Sequence, residues 1–402
     1  EEATYKLKIS NRVTDEGYKH STKLPIYGSG QGAANSPAVW AFISSKLFKA
    51  HTSRANGCNF KSPEGDISLH MAVIGFVDDS TIMTDGHAQE PVEKLLQRMQ
   101  EDGELWSNLL FSSGQRLNLQ KSGYHVIFYR FKPTGEPIMK HDCSHQVALR
   151  NAQNQIIPIQ AKTIFQPRKN LGHHKAPAGI YKAQAEAITQ KAKSISDAII
   201  RTKATRSETR MLYESVFRPA TEYTLAQSFI PTTTLSIIEK KHLPRLYAKC
   251  GYNRNTSRAI LQGPAELGGA GFIPLETIAG SGYVTHFLKH WRTKQEDAGT
   301  LLRIVMAWQQ YQAGTSFSIL NNTEYKLDYV QGRYIPAVRE YLHKIKANIN
   351  ITPNFVAQPL RGNDKTIMEM ATAMKLTKTQ RTRLNCVRMY LGITWLSEIC
   401  TP

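Results

Sequence analysis

With 402 residues, 41% of them hydrophobic, the chain is long enough for two or three domains and too apolar for a disordered tail. Its 51 Lys and Arg against 32 Asp and Glu leave a net charge of +19, which favours a polyanionic partner, nucleic acid first, over a small neutral ligand. Five cysteines (Cys58, Cys143, Cys250, Cys386, Cys400) without paired spacing exclude a disulfide framework or a ribbon-type zinc site. They suit a reducing intracellular setting, nucleus or cytoplasm. No apolar run approaches the ~18 residues that span a bilayer, so a membrane partner is not expected.

Residues 1 to about 175 alternate short apolar runs with Gly, Pro, Asn and Asp clusters, which predicts a mixed α/β region. GSGQGAANSP at 28–37 sets Gly28, Gly30 and Gly32 around Gln31. Asn35, Ser36 and Pro37 then open a helix that continues through Trp40, Ile43 and Leu47 at steps of three and four. The glycines let backbone approach a substrate closely, and a helix start favours phosphate, although alone the segment reads as a flexible loop before a helix. MAVIGFVDDSTIMT at 71–84 predicts two short strands joined at Asp78 and Asp79, a hairpin whose tip carries both acids. Asp is common in turns for structural reasons. A rigid tip also suits two divalent ions ~3.5 to 4 Å apart, which need hard oxygen ligands for phosphoryl transfer.

Helical patterns dominate afterwards. Ile188, Ala192, Ile195 and Ile199 recur on one face of 183–203, while Lys191, Lys193, Arg201 and Lys203 fall mainly elsewhere. A second helix is expected to begin after Ser207 and end near Pro219. Residues 258–276 form a Gly- and Pro-rich connection, where Pro274 blocks the helix start that a dinucleotide fingerprint needs. From about 283 the pattern is helical again, ending with Leu384, Val387, Leu391 and Trp395 on one face. Residues 161–260 hold 18 Lys and Arg against 6 Asp and Glu, an excess of 12 that implies a basic face. The expected fold class is α+β, divided into a sheet-containing part at 1–175, a helical part at 176–280 and a helical C-terminal region of unknown role at 281–402. The run His141-x-Cys143-x-His145 beside His125 lacks a second ligand pair and is taken as a loop. Residues 368–391 are taken as two packed helices exposing Arg381, Arg383 and Arg388, in preference to a DNA-binding helix-turn-helix.

Taken in order, these motifs resemble the reverse transcriptase family, most closely the polymerase of LINE-like, non-LTR retroelements. Gly30-Gln31-Gly32 with Ser36-Pro37 is similar to that family's Gly-rich segment, and Phe76-Val77-Asp78-Asp79 to its aromatic-X-Asp-Asp hairpin. Trp106-Ser107-Asn108-Leu109-Leu110, Ser113-Gly114, Leu117-Asn118 and Lys121 match the helix and the Gly, Leu, Asn and Lys pattern that come next in the family. Leu171-Gly172 is similar to the Leu-Gly of the primer-grip turn, and the helices from about 180 to a thumb; Gly263-Pro264 and Gly268-Gly269 recur after the thumb in some such elements.

The resemblance implies a partial polymerase palm followed by a helical thumb. It implies an RNA-directed DNA polymerase that uses Mg²⁺ or Mn²⁺, an RNA template, a DNA primer and deoxynucleoside triphosphates. Asp78 would ligate metal and Asp79 support it; Gly30, Gln31, Gly32 and Ser36 would line the nucleotide and template side. Lys121 would protonate pyrophosphate, and Lys191, Lys193, Arg201 and Lys203 would hold nucleic acid. The family's other metal-bridging Asp and its fingers would lie before residue 1, so residues 1–402 alone are expected to bind primer-template without extending it. The alternatives are a non-catalytic nucleic-acid-binding remnant and a viral RNA-dependent RNA polymerase, a group that usually has Gly where this chain has Val77.

Overall fold

The structure, a computed structural model, describes residues 4–6, 8–9, 12–13, 15–19, 36–77, 79–87, 89–140, 146–151, 154–293 and 296–400. Gly30, Gln31, Gly32, Asp78, His141, Cys143 and His145 lie outside the described residues. The chain is α+β, with small two-stranded sheets, mostly antiparallel, and a helical majority. No described helix is long and apolar enough to cross a membrane. The chain forms two compact units.

The first unit takes in residues 1–59, 70–124 and 144–161. Its two long helices, α1 (Ser36–Thr52) and α2 (Val92–Ser112), pack together and cover one face of a hairpin made by Val73–Phe76 and Asp79–Ile82. α2 buries Leu96, Gly103, Trp106 and Leu110 at helical spacing. At Gly103 the missing side chain lets Leu149 of the strand Ala148–Arg150 sit against the helix backbone: a Cβ there would stand 3.0 Å from Leu149 Cδ2. Asp102 is buried on the same helix. Its carboxylate accepts from the Asn56 amide (2.7 Å), Asn56 Nδ2 (2.9 Å), the Gly57 amide (3.2 Å) and Thr84 Oγ1 (2.7 Å), so one side chain fixes two loops. A buried carboxylate persists only when its lone pairs are so satisfied. α2 stops where Gly114 turns left-handed (φ +81).

The second unit takes in residues 60–69, 125–143 and 162–402. Two hairpins precede its helices: a ribbon of Phe128–Phe131 with Pro137–Lys140, and a pair of Arg168–Asn170 with His173–Lys175. The helices follow as α3 (Lys182–Arg201), α4 (Arg206–Leu212), α5 (Arg218–Leu225), α6 (Thr232–Lys249), α7 (Arg258–Gln262), α8 (Leu275–Arg292), α9 (Asp297–Ala313), α10 (Tyr334–Lys344), α11 (Ile367–Ala373) and α12 (Lys378–Leu391). Ile188, Ala192 and Ile199 of α3 are buried as their spacing predicts, against a core that runs through Leu235, Leu246, Phe272, Phe287, Met306 and Val338. The boundary expected near 280 falls inside α8, and helices on both sides of it share that core. The boundary expected near 175 likewise falls inside the second unit, because the Leu171-Gly172 hairpin packs on α3.

Local chemistry explains other differences. The helix expected to end near Pro219 runs from Thr205, its N-cap, to Leu225, because Tyr213–Phe217 widen into a π-turn just before the proline. That turn relieves the clash of the Pro219 ring with the preceding carbonyls. Pro274 does not block a helix: it stands at the N-cap of α8, where its missing N–H costs nothing. At the C-terminus of α3, Lys249 Nζ donates to the carbonyls of Ile199 (2.8 Å), Ile200 (3.0 Å) and Thr202 (2.6 Å), satisfying acceptors that the helix leaves unpaired. Arg388 is buried, not exposed as expected. It donates to the Gln312 carbonyl (3.2 Å) at the end of α9 and to Asn385 Oδ1 (3.0 Å). Val387 and Leu391, expected in the core, are exposed, because α12 turns its other face inward and ends at Gly392, before Trp395.

Candidate functional site

The acidic hairpin has a two-residue turn. Phe76 pairs with Asp79, so the turn is Val77-Asp78 and Asp79 is the first residue of the returning strand; the expected tip of two acids is shifted by one position. Val77 adopts φ +53, a left-handed conformation that β-branched residues avoid. A two-residue turn needs this hand to match the twist of its strands, and Asn or Gly normally supplies it. Here Trp40 of α1 holds the turn, its indole Nε1 donating to the Val77 carbonyl over 2.7 Å. The helix next to the Gly-rich segment and the acidic turn, separate signals in the sequence, are joined by this bond.

Strand alternation sorts the hairpin into two faces. Val73, Gly75, Ser80 and Ile82 turn toward the helices, where Trp106 Nε1 donates to Ser80 Oγ (3.0 Å) and Phe48 stacks on Trp106 (centroids 5.4 Å apart). Gly75 has no alternative: a Cβ on it would lie 2.0 Å from Phe48 Cζ. Ile74, Phe76, Asp79 and Thr81 form the other face, which is exposed. The apolar run around the acids is therefore only half core.

The Asp79 side chain makes no hydrogen bond or ion pair among the described residues, and its exposed carboxylate is a hard oxygen donor of the kind Mg²⁺ takes. Among the described residues no three His, Cys, Asp or Glu side chains converge on one point. Lys121, in the same unit, is exposed on a turn where its amide donates to Asn118 Oδ1 (3.2 Å); no hydrogen bond or ion pair joins it to Asp79. Ser36 opens α1 as its sequence predicts.

In the second unit, Leu171 (φ +50) and Gly172 (φ +79) form the two-residue turn between Asn170 and His173. Gly suits that conformation; Leu does not, and its side chain is left partly exposed. The hairpin rests on α3 through the His174 amide, which donates to Gln184 Oε1 (2.7 Å). Beside it His173 is buried with Nε2 3.3 Å from Ser228 Oγ. Burial, then the charges of Lys175 and His174, pushes its pKa down to about 4, so the ring is neutral.

The buried positions of α3 occupy an arc of roughly 120° at 3.6 residues per turn. Lys191, Lys193 and Arg201 all lie outside that arc and are exposed, and Lys203, just past the helix, is also exposed. None of the four makes an ion pair among the described residues; of the two acids on this helix, Glu186 and Asp197, the second pairs with Arg245 (3.0 Å). The structure thus brings the Leu-Gly turn and the four cations into one unit. Trp40 is the residue that sequence reasoning missed: its spacing places it on the helix, but nothing in that spacing indicates which carbonyl its N–H meets.

No protein-family model matches the chain, and no curated protein matches it.

Proposed function

We propose that the chain is the palm-and-thumb part of an RNA-directed DNA polymerase of the non-LTR retroelement type, acting inside the cell. The observation that carries this reading is the acidic turn. Asp79 lies on the hairpin face that α1 and α2 leave open, two positions after a left-handed Val77 whose carbonyl accepts from Trp40, and Asp78 is its neighbour in sequence. Strained backbone at an exposed acidic turn is a common mark of a site whose geometry serves chemistry.

Bound Mg²⁺ or Mn²⁺ would supply charge stabilisation for phosphoryl transfer. Asp78 and Asp79 would hold it through their carboxylate oxygens. Gly30, Gln31, Gly32 and Ser36 line the nucleotide and template side, and Lys121 gives a proton to departing pyrophosphate from a deoxynucleoside triphosphate. Leu171 and Gly172 meet the DNA primer, and Lys191, Lys193, Arg201 and Lys203 neutralise phosphates of the primer and RNA template. A second reading, a nucleic-acid-binding remnant without catalysis, draws support from those four exposed cations, which have no ion pair among the described residues.

Primer extension on an RNA template, by a polymerase containing this segment, tests the first reading. Asp78→Asn is expected to abolish nucleotide addition with little loss of folding, and Asp79→Asn to be milder. Near-normal extension by Asp78→Asn overturns the assignment.

A further inference from the structure

α10 buries Ile335, Val338, Arg339 and Leu342 at helical spacing, so a cation holds a core position on that helix. The Arg339 side chain staples the loop that follows α9. Its Nε donates to the Ile319 carbonyl (2.8 Å), and its Nη2 to the carbonyls of Asn322 (2.7 Å) and Tyr325. Carbonyl dipoles solvate a guanidinium but bring no negative charge. Arg339 is only 8% exposed and has no ion pair among the described residues. Burial pushes its pKa down to about 10, which still leaves it charged at neutral pH. A buried charge without a counterion is costly.

Arg339 also lines a cavity of about 430 Å³ in the second unit, a volume within the range of small-molecule sites. Its third nitrogen, Nη1, makes no hydrogen bond among the described residues and is not sealed from solvent. Nη1 is therefore the guanidinium nitrogen left for a ligand. Ile319, Leu327, Val330 and Ile335 supply an apolar wall. Glu324, Asp328 and Glu340 line the cavity too, but they are exposed, and Asp328 is paired with Arg381 (3.0 Å). Solvated carboxylates gain little from a partner, whereas a buried guanidinium gains much. Their three negative charges also repel a dianion more than a monoanion.

We infer that this cavity binds an apolar monocarboxylate, its carboxylate accepting from Arg339 Nη1 and its body lying against Leu327, Val330 and Ile335. The site goes beyond the proposed polymerase site and uses none of its residues.

Replacing Arg339 would release the loop it staples, so the charge is varied on the ligand instead. The full chain is titrated by isothermal calorimetry, without nucleotide or divalent metal, with 2-naphthylacetate, its neutral amide 2-naphthylacetamide and the dianion 2-naphthyl phosphate. Binding is therefore measured apart from primer extension, and either reading can fail alone. A ligand of about 14 non-hydrogen atoms is expected to bind with a Kd of about 1 mM or tighter. The amide brings no charge to the guanidinium and is expected to bind at least about tenfold more weakly than the acid. The phosphate is expected to bind more weakly as well. Val330→Phe fills the cavity from its half-buried wall, and is expected to weaken the acid about tenfold while leaving the melting temperature of the free chain unchanged. If it lowers that temperature, Leu327→Phe serves as the second filling variant. No saturation by the acid at about 10 mM, or an amide within about threefold of the acid, overturns the inference. So does a phosphate that binds more tightly than the acid, or a folded filling variant that binds the acid as the parent does.

Discussion

Trp40 and Val77 stand 37 positions apart in sequence and meet through one hydrogen bond of 2.7 Å, from the indole N–H to the turn carbonyl. The bond sits where the backbone is least comfortable, at a β-branched residue with φ +53. Trp40→Phe keeps the ring and removes the donor, and is expected to cost about 1 kcal/mol in urea denaturation. Val77→Gly removes the side chain that opposes the left-handed turn. Its relief of about 1–2 kcal/mol exceeds the extra chain entropy of about 0.5–1 kcal/mol, so it is expected to stabilise. A destabilised Val77→Gly would contradict the left-handed turn.

Gly75 and Phe48 form a second coupled pair. Gly75→Ala drives a methyl group into the Phe48 ring and is expected to cost about 1–3 kcal/mol. Phe48→Leu shortens the side chain, so the double variant is expected to lose less than the two single losses combined. A double-mutant cycle by chemical denaturation reads that coupling; strict additivity would mean the two side chains do not meet.

The four exposed cations on and just after α3 make a quantitative expectation for duplex binding. Replacing Lys191, Lys193, Arg201 and Lys203 by Gln removes up to four phosphate contacts, and each contributes roughly 0.9 to the slope of log K against log salt on duplex DNA. The slope is therefore expected to flatten by up to about 3.6 in an anisotropy salt series. A flat dependence in the parent protein would overturn the basic-face reading.

His173 links the Leu-Gly hairpin to pH. Its pKa is pushed down to about 4 in the folded chain, mainly by burial, against ~6.5 in an unfolded one. Between these values the unfolded state holds more protons. The His173 contribution to stability is full above about pH 6.5 and is lost as pH falls toward 4, at up to about 1.4 kcal/mol per pH unit. His173→Gln is expected to reduce the pH slope of the urea midpoint in that window while leaving it unchanged at pH 8. An unaltered slope would show that His173 is not held neutral.

Periodicity located the α3 core because Ile188, Ala192 and Ile199 meet one continuous apolar partner, and a 3.6-residue repeat reports that directly. It failed at α12. There Arg388 is buried among carbonyls and Val387 is open to water, so hydrophobicity no longer tells inside from outside. The acidic hairpin was legible as two short runs around paired acids, but its register was not. Asp79 is already part of the returning strand, and the Val77 carbonyl is held by Trp40, a partner on α1. Gly75 was legible only as an apolar-run residue; its need for no side chain comes from Phe48, 27 positions earlier.

The π-turn at Tyr213–Phe217 has a consequence for chain length. One extra residue in a helix advances everything after it by about 100°. Thr221, Thr224 and Leu225, all buried, owe their inward direction to that added step. Deleting any single residue from 213–217 would let the helix run on as a regular spiral, yet swing those three side chains a quarter-turn away from the interior. In this stretch the number of residues, more than their identity, sets the angular phase of α5.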